Sequence, residues 1–264
     1  MSGILENKVA IVTGGGTGIG KGIAIRYAKE GAKVAVTGRR LEKLEHTISS
    51  IKAEGREGIA IQGDVSSPED IKRIISEVLS KWGRIDILVN NAAIEGEGGA
   101  LLDITNEAWD EIYSINTRSV FIMTREVAKA MIEKEIAGKI INISSITSKT
   151  PPIHCSAYAS AKAAVNTLTV CSALDLGEYG INVNCICPGL ISTPMLETLD
   201  NRMASQGKIT MTDLAGIMIA TGRLMKRRIG EPDDIAKVAT FLASDSAEYV
   251  TGQVINVCGG LETH

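Results

Sequence analysis

The sequence is short of the residues and runs that mark several large classes of protein. Its 5 cysteines are too few for a disulfide-stapled scaffold in a chain of 264 residues, and the number is odd. Cys185 and Cys187 alternate with isoleucine in an apolar run, as small strand residues do and metal ligands do not. The 3 histidines, His46, His154 and His264, form no cluster with cysteine at zinc-binding spacing, so no metal is expected. Neither sign of charge prevails. The formal net charge is −3 and Lys and Arg are spread along the chain, which leaves no basic footprint for nucleic acid. No run approaches the roughly 20 apolar residues of a membrane helix. Residues Met1 to Lys8 lack the charged-then-apolar pattern of a secretion signal. Aromatic residues amount to 3%. The expectation left by these absences is a soluble, cytoplasmic protein acting on a small molecule, without nucleic-acid or membrane partners.

What is present is a regular alternation, in a chain that is 44% hydrophobic and punctuated by 27 glycines. Short β-branched runs at Val9–Thr13, Lys33–Thr37, Gly58–Gln62, Ile85–Asn90, Lys139–Ile143, Asn182–Cys187 and Gln253–Val257 read as strands. Most are continuously apolar, the pattern of strands buried on both faces. Between them lie helical patterns. Leu41, Leu44, Ile48 and Ile51 fall on one helix face, as do Ile71, Ile74, Ile75, Val78 and Leu79. Pro68 and Pro232 open helices, and Gly31 closes one. The predicted fold is α/β, a doubly wound seven-stranded parallel sheet flanked by helices, in a single domain over residues 1–264. One stretch interrupts the rhythm: residues 190–228, long and rich in Met and Thr, expected to be a substrate-binding loop or lid.

The segment Thr13-Gly14-Gly15-Gly16-Thr17-Gly18-Ile19-Gly20 lies between the first strand and the first helix. Glycines there let the backbone turn tightly and approach a pyrophosphate, and the helix start favours the anion. A tight turn without ligand is the plainer reading, which the position after the first strand of a βαβ unit disfavours. The second strand ends at Thr37-Gly38-Arg39-Arg40, with no acid before Glu42. An acid at that end would bind ribose hydroxyls and repel a 2′-phosphate; two arginines would bind the phosphate. NADP(H) is therefore expected over NAD(H), unless Arg39 and Arg40 merely solvate a helix start.

Tyr158 and Lys162 lie four apart in a helical run, so both project from one face. A phenol is ordinarily protonated at neutral pH, and using it as a base takes roughly 4 kcal/mol of phenolate stabilisation, which a nearby ammonium and an oxidised nicotinamide could supply. Such a tyrosine exchanges a proton with an alcohol or ketone while a hydride moves to or from the cofactor.

With these residues in place, the whole chain resembles the short-chain dehydrogenase/reductase family in its compact single-domain branch, and with it a Rossmann-type fold. Further segments match in order: Asp64-Val65, similar to the pair that contacts adenine; Asn90-Asn91-Ala92-Ala93, with Ala93 in place of the usual glycine; Asn116; Ser144-Ser145, with Ser145 thirteen residues before Tyr158; and Cys187-Pro188-Gly189, followed by Ile191 and Thr193. The resemblance implies that Tyr158 is the acid/base and that Lys162 lowers its pKa and binds the nicotinamide ribose. It implies that Ser145 bonds the substrate oxygen and that Asn116 holds a relay water. The cofactor would be held by Gly14, Gly16, Thr17, Gly18, Ile19, Gly20, Arg39, Arg40, Asp64, Val65, Asn91, Ala92, Ala93, Tyr158, Lys162, Pro188, Gly189, Ile191 and Thr193. Plainer roles are open for Ser145 as a turn cap, Asn116 as a helix-fixing amide, and Asp64 as a cap near Pro68.

His154 and Cys155, between Ser145 and Tyr158, are expected to line the substrate cleft. The substrate expected is a small hydroxyketone, polyol or sugar-like alcohol. A 3-oxoacyl-carrier-protein reductase is the alternative, but Tyr179 precedes Gly180-Ile181-Asn182-Val183 where that branch carries a basic residue, leaving Lys139 to supply part of the contact. An NAD-dependent polyol or acetoin-type dehydrogenase and a non-catalytic NADP-binding regulator are the other readings. The family's habit makes a homotetramer the expected assembly.

Overall fold

Each apolar run of the sequence becomes a parallel strand in one sheet, as seen in a computed structural model that describes residues 3–96 and 99–263. Met1, Ser2, Glu97, Gly98 and His264 lie outside the described residues, so the reading of the first eight residues and that of His264 fall wholly or partly there. The strands are β1 (Val9–Thr13), β2 (Lys33–Gly38), β3 (Gly58–Gln62), β4 (Ile87–Asn90), β5 (Lys139–Ile143), β6 (Asn182–Pro188) and β7 (Val254–Val257). Their order is β3-β2-β1-β4-β5-β6-β7, with Val9 opposite Lys33, Ile87 opposite Lys139, and Lys139 opposite Asn182. Strand ends shift from expectation by a residue or two. β4 begins late, where Asp86 turns its carboxylate onto the Val9 N–H at 2.9 Å.

The helices are α1 (Gly18–Lys29), α2 (Leu41–Ala53), α3 (Pro68–Trp82), α4 (Asn106–Tyr113), α5 (Ser119–Glu133), α6 (Ser156–Leu176), α7 (Pro194–Ser205), α8 (Met211–Ala220) and α9 (Pro232–Ala243). They divide between the two faces of the sheet. Successive strand residues alternate sides, so Ala10, Val12, Val34, Val36, Ile87 and Val89 pack under α1, α2 and α9. Val9, Ile11, Ala35, Leu88 and Ile140 pack under α3, α5 and α6. Burial on both faces is why these strands read as unbroken apolar runs. Tyr27, fully buried in α1, donates its hydroxyl to Ala239 O at 2.9 Å and ties α1 to α9.

Residues 190–228, expected as a substrate-binding loop or lid, are largely helical. Thr193 caps α7, accepting from Leu196 N at 3.3 Å with Pro194 in the first turn. Thr210 and Asp213 exchange reciprocal capping bonds at the start of α8. The stretch leaves the domain through a closed neck, where Gly230 N donates to Leu190 O at 2.9 Å and Ser192 N to Gly230 O at 2.8 Å. Among the described residues no helix is long and apolar enough to cross a membrane.

Candidate active site

The strand order reverses direction between β1 and β4, and ligands of open parallel sheets bind outside the carboxyl ends of the strands at such a point. Here Thr13 at the end of β1 is the knot. Its hydroxyl accepts the N–H groups of Asn91 and Ala92 at 2.9 and 3.0 Å, and the Asn91 amide donates back to Thr13 O at 2.9 Å and Gly14 O at 3.3 Å. The turn leaves no room for side chains. A Cβ on Gly20 would sit 2.4 Å from both Gly14 O and Asn91 Nδ2, and one on Gly14, at φ 65°, 2.8 Å from Asn91 Nδ2. The sequence motif begins at Thr13 but does not show its work, which is that of a buried hydroxyl tying the end of β1 to the segment after β4.

The start of α1 has neither a side-chain cap bond from Thr17 nor an acid in its first turn. By contrast α3 is capped by Ser67, which accepts Asp70 N at 3.2 Å, and carries Glu69 and Asp70 in its first turn. The free N–H groups of α1 are therefore open to an anion. Gly18, at φ 52°, faces Thr193: a Cβ there would lie 3.2 Å from the threonine methyl, so the glycine turn and the start of α7 form opposing walls. At the end of β2 the buried Thr37 hydroxyl has no hydrogen-bond partner within the protein. Beyond it Arg39 and Arg40 are exposed, and among the described residues neither has a carboxylate partner. An uncapped helix end, an orphaned hydroxyl and two guanidinium groups without a carboxylate partner among the described residues fit a dinucleotide and its phosphates.

Other expected cofactor residues take definite places. Asp64 closes a turn onto Ser66 N at 2.9 Å and Ser66 Oγ at 2.8 Å, while Val65 is buried. Ile19 packs on the α1 side of the core. Pro188 ends β6, a Cβ on Gly189 would fall 2.8 Å from Cys258, and Ile191 bridges to Gly230 at the neck. Ala92 and Ala93 are half-buried beside the glycine turn.

The groups expected to react lie just past the end of β5 and on α6. Ser144 and Ser145 point opposite ways: Ser144 Oγ is buried and donates to Lys162 O at 2.9 Å, whereas Ser145 Oγ faces the crevice and accepts from Thr147 N at 3.2 Å. Ser145 is thus a turn cap whose hydroxyl also bonds with Tyr158. Lys162 is 3% exposed, its Nζ donating to Ile143 O at 2.9 Å and lying 5.8 Å from the centre of the Tyr158 ring. Burial brings the lysine pKa down to about 8. Burial likewise pushes the Tyr158 phenol above its ordinary value, with a hydrogen bond to Ser145 working the other way. The lowering expected from Lys162 is not what the side chains alone produce; desolvation wins, and the phenol is a proton donor at neutral pH.

Asn116 is fully buried on a π turn over Ser114–Arg118, a wide turn often found at functional sites. Its amide accepts Ile94 N at 2.9 Å and donates to Ile94 O at 2.7 Å, clamping the segment after β4. In the structure both bonds of that amide go to the Ile94 main chain. A second buried chain went unread in the sequence. Asn90 Nδ2 donates to Thr124 Oγ1 at 3.0 Å and to Asn142 Oδ1 at 2.9 Å, and Asn142 Nδ2 to Thr169 Oγ1 at 2.9 Å. It fixes α6, with Tyr158 and Lys162, against β4 and β5. His154 is exposed with φ 60° in the turn before α6. Lys139 is not at the surface as a carrier-protein contact would require: it is buried, its Nζ donating to Asn182 Oδ1 on β6. Among the described residues no cluster of His, Cys, Asp or Glu has the make-up of a metal site.

This architecture is that of a nucleotide-dependent oxidoreductase, and comparison with known proteins gives the family. The sequence model described as short chain dehydrogenase matches residues 8–204. Versicolorin reductase 1 of Aspergillus parasiticus is 39% identical over 259 residues, covering 97% of each chain. A 3-oxoacyl-[acyl-carrier-protein] reductase of Staphylococcus epidermidis is 37% identical, over 97% of this chain and 99% of its own. Among solved structures, an actinorhodin polyketide ketoreductase with NADPH superposes with a TM-score of 0.91 at 33% identity over 100% of both chains. The chain belongs to the short-chain dehydrogenase/reductase family.

Proposed function

We propose that the protein is an NADP(H)-dependent oxidoreductase that reduces a ketone to a secondary alcohol, and reverses that reaction, on a small hydroxyketone, polyol or sugar-like substrate. The observation that carries it is the meeting of Ser145, a protonated Tyr158 and a buried Lys162, in a sheet whose first glycine turn opens on an uncapped α1. The nicotinamide, when bound, supplies the hydride to the carbonyl carbon. Tyr158 donates its proton to the carbonyl oxygen, and Ser145 donates a hydrogen bond to that oxygen as charge develops on it. The Lys162 ammonium stabilises the phenolate left behind, acting through a medium from which water is largely excluded. A water reconnecting Lys162 to solvent would use the hydrogen-bonding capacity that the Ile94 clamp leaves free on Asn116. His154 and Cys155 would line the entrance.

Arg39 and Arg40 support the choice of NADP(H). Parallel calorimetric titration should find NADP⁺ bound about tenfold or more tighter than NAD⁺, and Arg39→Asp should weaken NADP⁺ far more than NAD⁺. Equal losses would remove Arg39 from the preference. Tyr158→Phe should lower turnover about a thousandfold while leaving NADPH binding nearly intact. Retained turnover would sink the acid/base role, and with wild-type binding but no turnover of any carbonyl the regulator reading would stand instead. The carrier-protein substrate of the Staphylococcus relative is the second reading; the inward-turned Lys139 and the half-exposed Tyr179 speak against it. For assembly the proposal is a homotetramer, supported by exposed Phe121 on α5 and exposed Val170 and Leu174 on α6, with light scattering as its check.

A further inference from the structure

One ion pair at the crevice is left unused by these roles. Glu95 Oε1 accepts Arg202 Nη2 at 3.1 Å, and Arg202 Nη1 donates to Gly96 O at 2.8 Å, joining the segment after β4 to α7. The position of Glu95 is fixed from both sides. Ile94 before it is clamped at N–H and C=O by Asn116. Gly96 after it has φ 71°, and a Cβ there would fall 2.4 Å from Ile112 Cδ1. The carboxylate side chain is 26% exposed. Its charge is felt at the Tyr158 phenol and the Cys155 thiol, raising the proton affinity of both. Ile94 packs against Ala157 and Ala161 of α6, either side of Tyr158, so a carboxylate held this way stands near the phenol, with Oε1 taken by arginine and no bond to Oε2 among the described residues.

We propose that Glu95, steadied by Arg202, is a specificity-determining residue that accepts a hydrogen bond from a second hydroxyl of the substrate, so that the site takes neutral hydroxyketones and their diols over plain ketones and over ketones bearing a carboxylate. This rests on the reading of the site as a ketone reductase. A hydroxyl is cheap to desolvate and rewards a half-buried carboxylate oxygen that has no partner among the described residues. A plain ketone leaves that oxygen unpaired. An anionic substrate meets the carboxylate with like charge, while the guanidinium that would welcome it is engaged by Glu95 and Gly96 O.

The test uses NADPH with three four-carbon probes: acetoin, butanone and acetoacetate. Wild type should favour acetoin over butanone by about 10- to 100-fold in kcat/KM, the range of a hydrogen bond to a charged group. Glu95→Leu should remove that preference and leave butanone within about twofold, Glu95→Gln should restore part of it, and either should raise the acetoacetate rate. Arg202→Met keeps the carboxylate and should keep the ratio of acetoin to butanone even if both rates fall. Equal losses on acetoin and butanone in Glu95→Leu would make Glu95 a purely structural contact and overturn the proposal. A loss of acetoacetate turnover in Arg202→Met would also overturn it, by making Arg202 an anion anchor. NADPH titration separates the two levels of failure: binding with turnover of butanone but not of acetoin overturns this proposal alone, and binding without turnover of any carbonyl overturns the ketone-reductase reading beneath it.

Discussion

The two walls of the crevice are built in opposite ways. The wall formed by the glycine turn, α1 and the Asn91–Ile94 segment is backbone cross-linked to backbone: Thr13, Asn91 and Asn116 each satisfy main-chain groups of a neighbouring element. Behind it, α1 buries Gly20, Ile23, Ala24, Tyr27 and Ala28. The facing wall, α7 and α8, buries no residue along α7 and only Ala215 along α8. It is held by caps, by Asp200 accepting Met211 N at 2.7 Å, and by the Glu95–Arg202 pair. Hydride transfer depends on a fixed geometry, which suits the first wall; admitting a substrate depends on an element of low local stability, which suits the second.

The sharpest way to break this contrast is at Gly20. In Gly20→Ala the new methyl would meet Gly14 O and Asn91 Nδ2 at 2.4 Å, and backbone oxygens on a cross-linked turn have nowhere to go. The expected cost is about 3 kcal/mol in urea unfolding, together with loss of cofactor binding. A cost below about 1 kcal/mol would mean that this wall yields as readily as the other.

Next in size is Lys162. An unfolded lysine holds its proton to about pH 10.4, whereas the buried one releases it near 8, so between those values the unfolded chain binds more protons and stability rises with pH. Below about pH 8 the buried cation costs the full difference, roughly 3 kcal/mol, and the bond to Ile143 O returns about 1 of it. Lys162→Met should therefore be more stable than the wild type by about 2 kcal/mol at pH 7, with an advantage that shrinks as pH rises from 8 toward 10, even as turnover is lost. A pH-independent difference would show that the lysine is not desolvated as its burial implies.

The same contrast explains what could be read in the sequence. The strands were legible because burial on both faces leaves unbroken apolar runs, and α3 because Ile71, Ile74, Ile75 and Val78 share one buried face. Tyr158 and Lys162 were legible because one helix sets their spacing. At Asn116 the residue is legible but its partner is not, since Ile94 lies 22 residues away and the π turn that aims it leaves no periodic trace. Lys139 was misread for a similar reason: it is a strand residue whose partner, Asn182, comes into register only when β5 pairs with β6. The helices of the facing wall leave little trace in the sequence because an element that buries almost nothing needs no apolar stripe. Only Thr193-Pro194 and the spacing of Thr210 and Asp213 announced them.

The smallest effect gives the finest test of the difference between the walls. Gly216 lies exposed within α8 with nothing inside 4 Å of a built Cβ, so Gly216→Ala adds helix propensity without a clash. The gain expected in α8 is about 0.5–1 kcal/mol. If the facing wall opens on its own, hydrogen-exchange protection along α8 should rise by about two- to fivefold while the urea midpoint of the domain stays where it was. An equal gain in global stability would show α8 unfolding only with the sheet. The two walls would then form one cooperative unit, and access to the crevice would have to come from movement at the Leu190–Gly230 neck instead of from local melting of its cover.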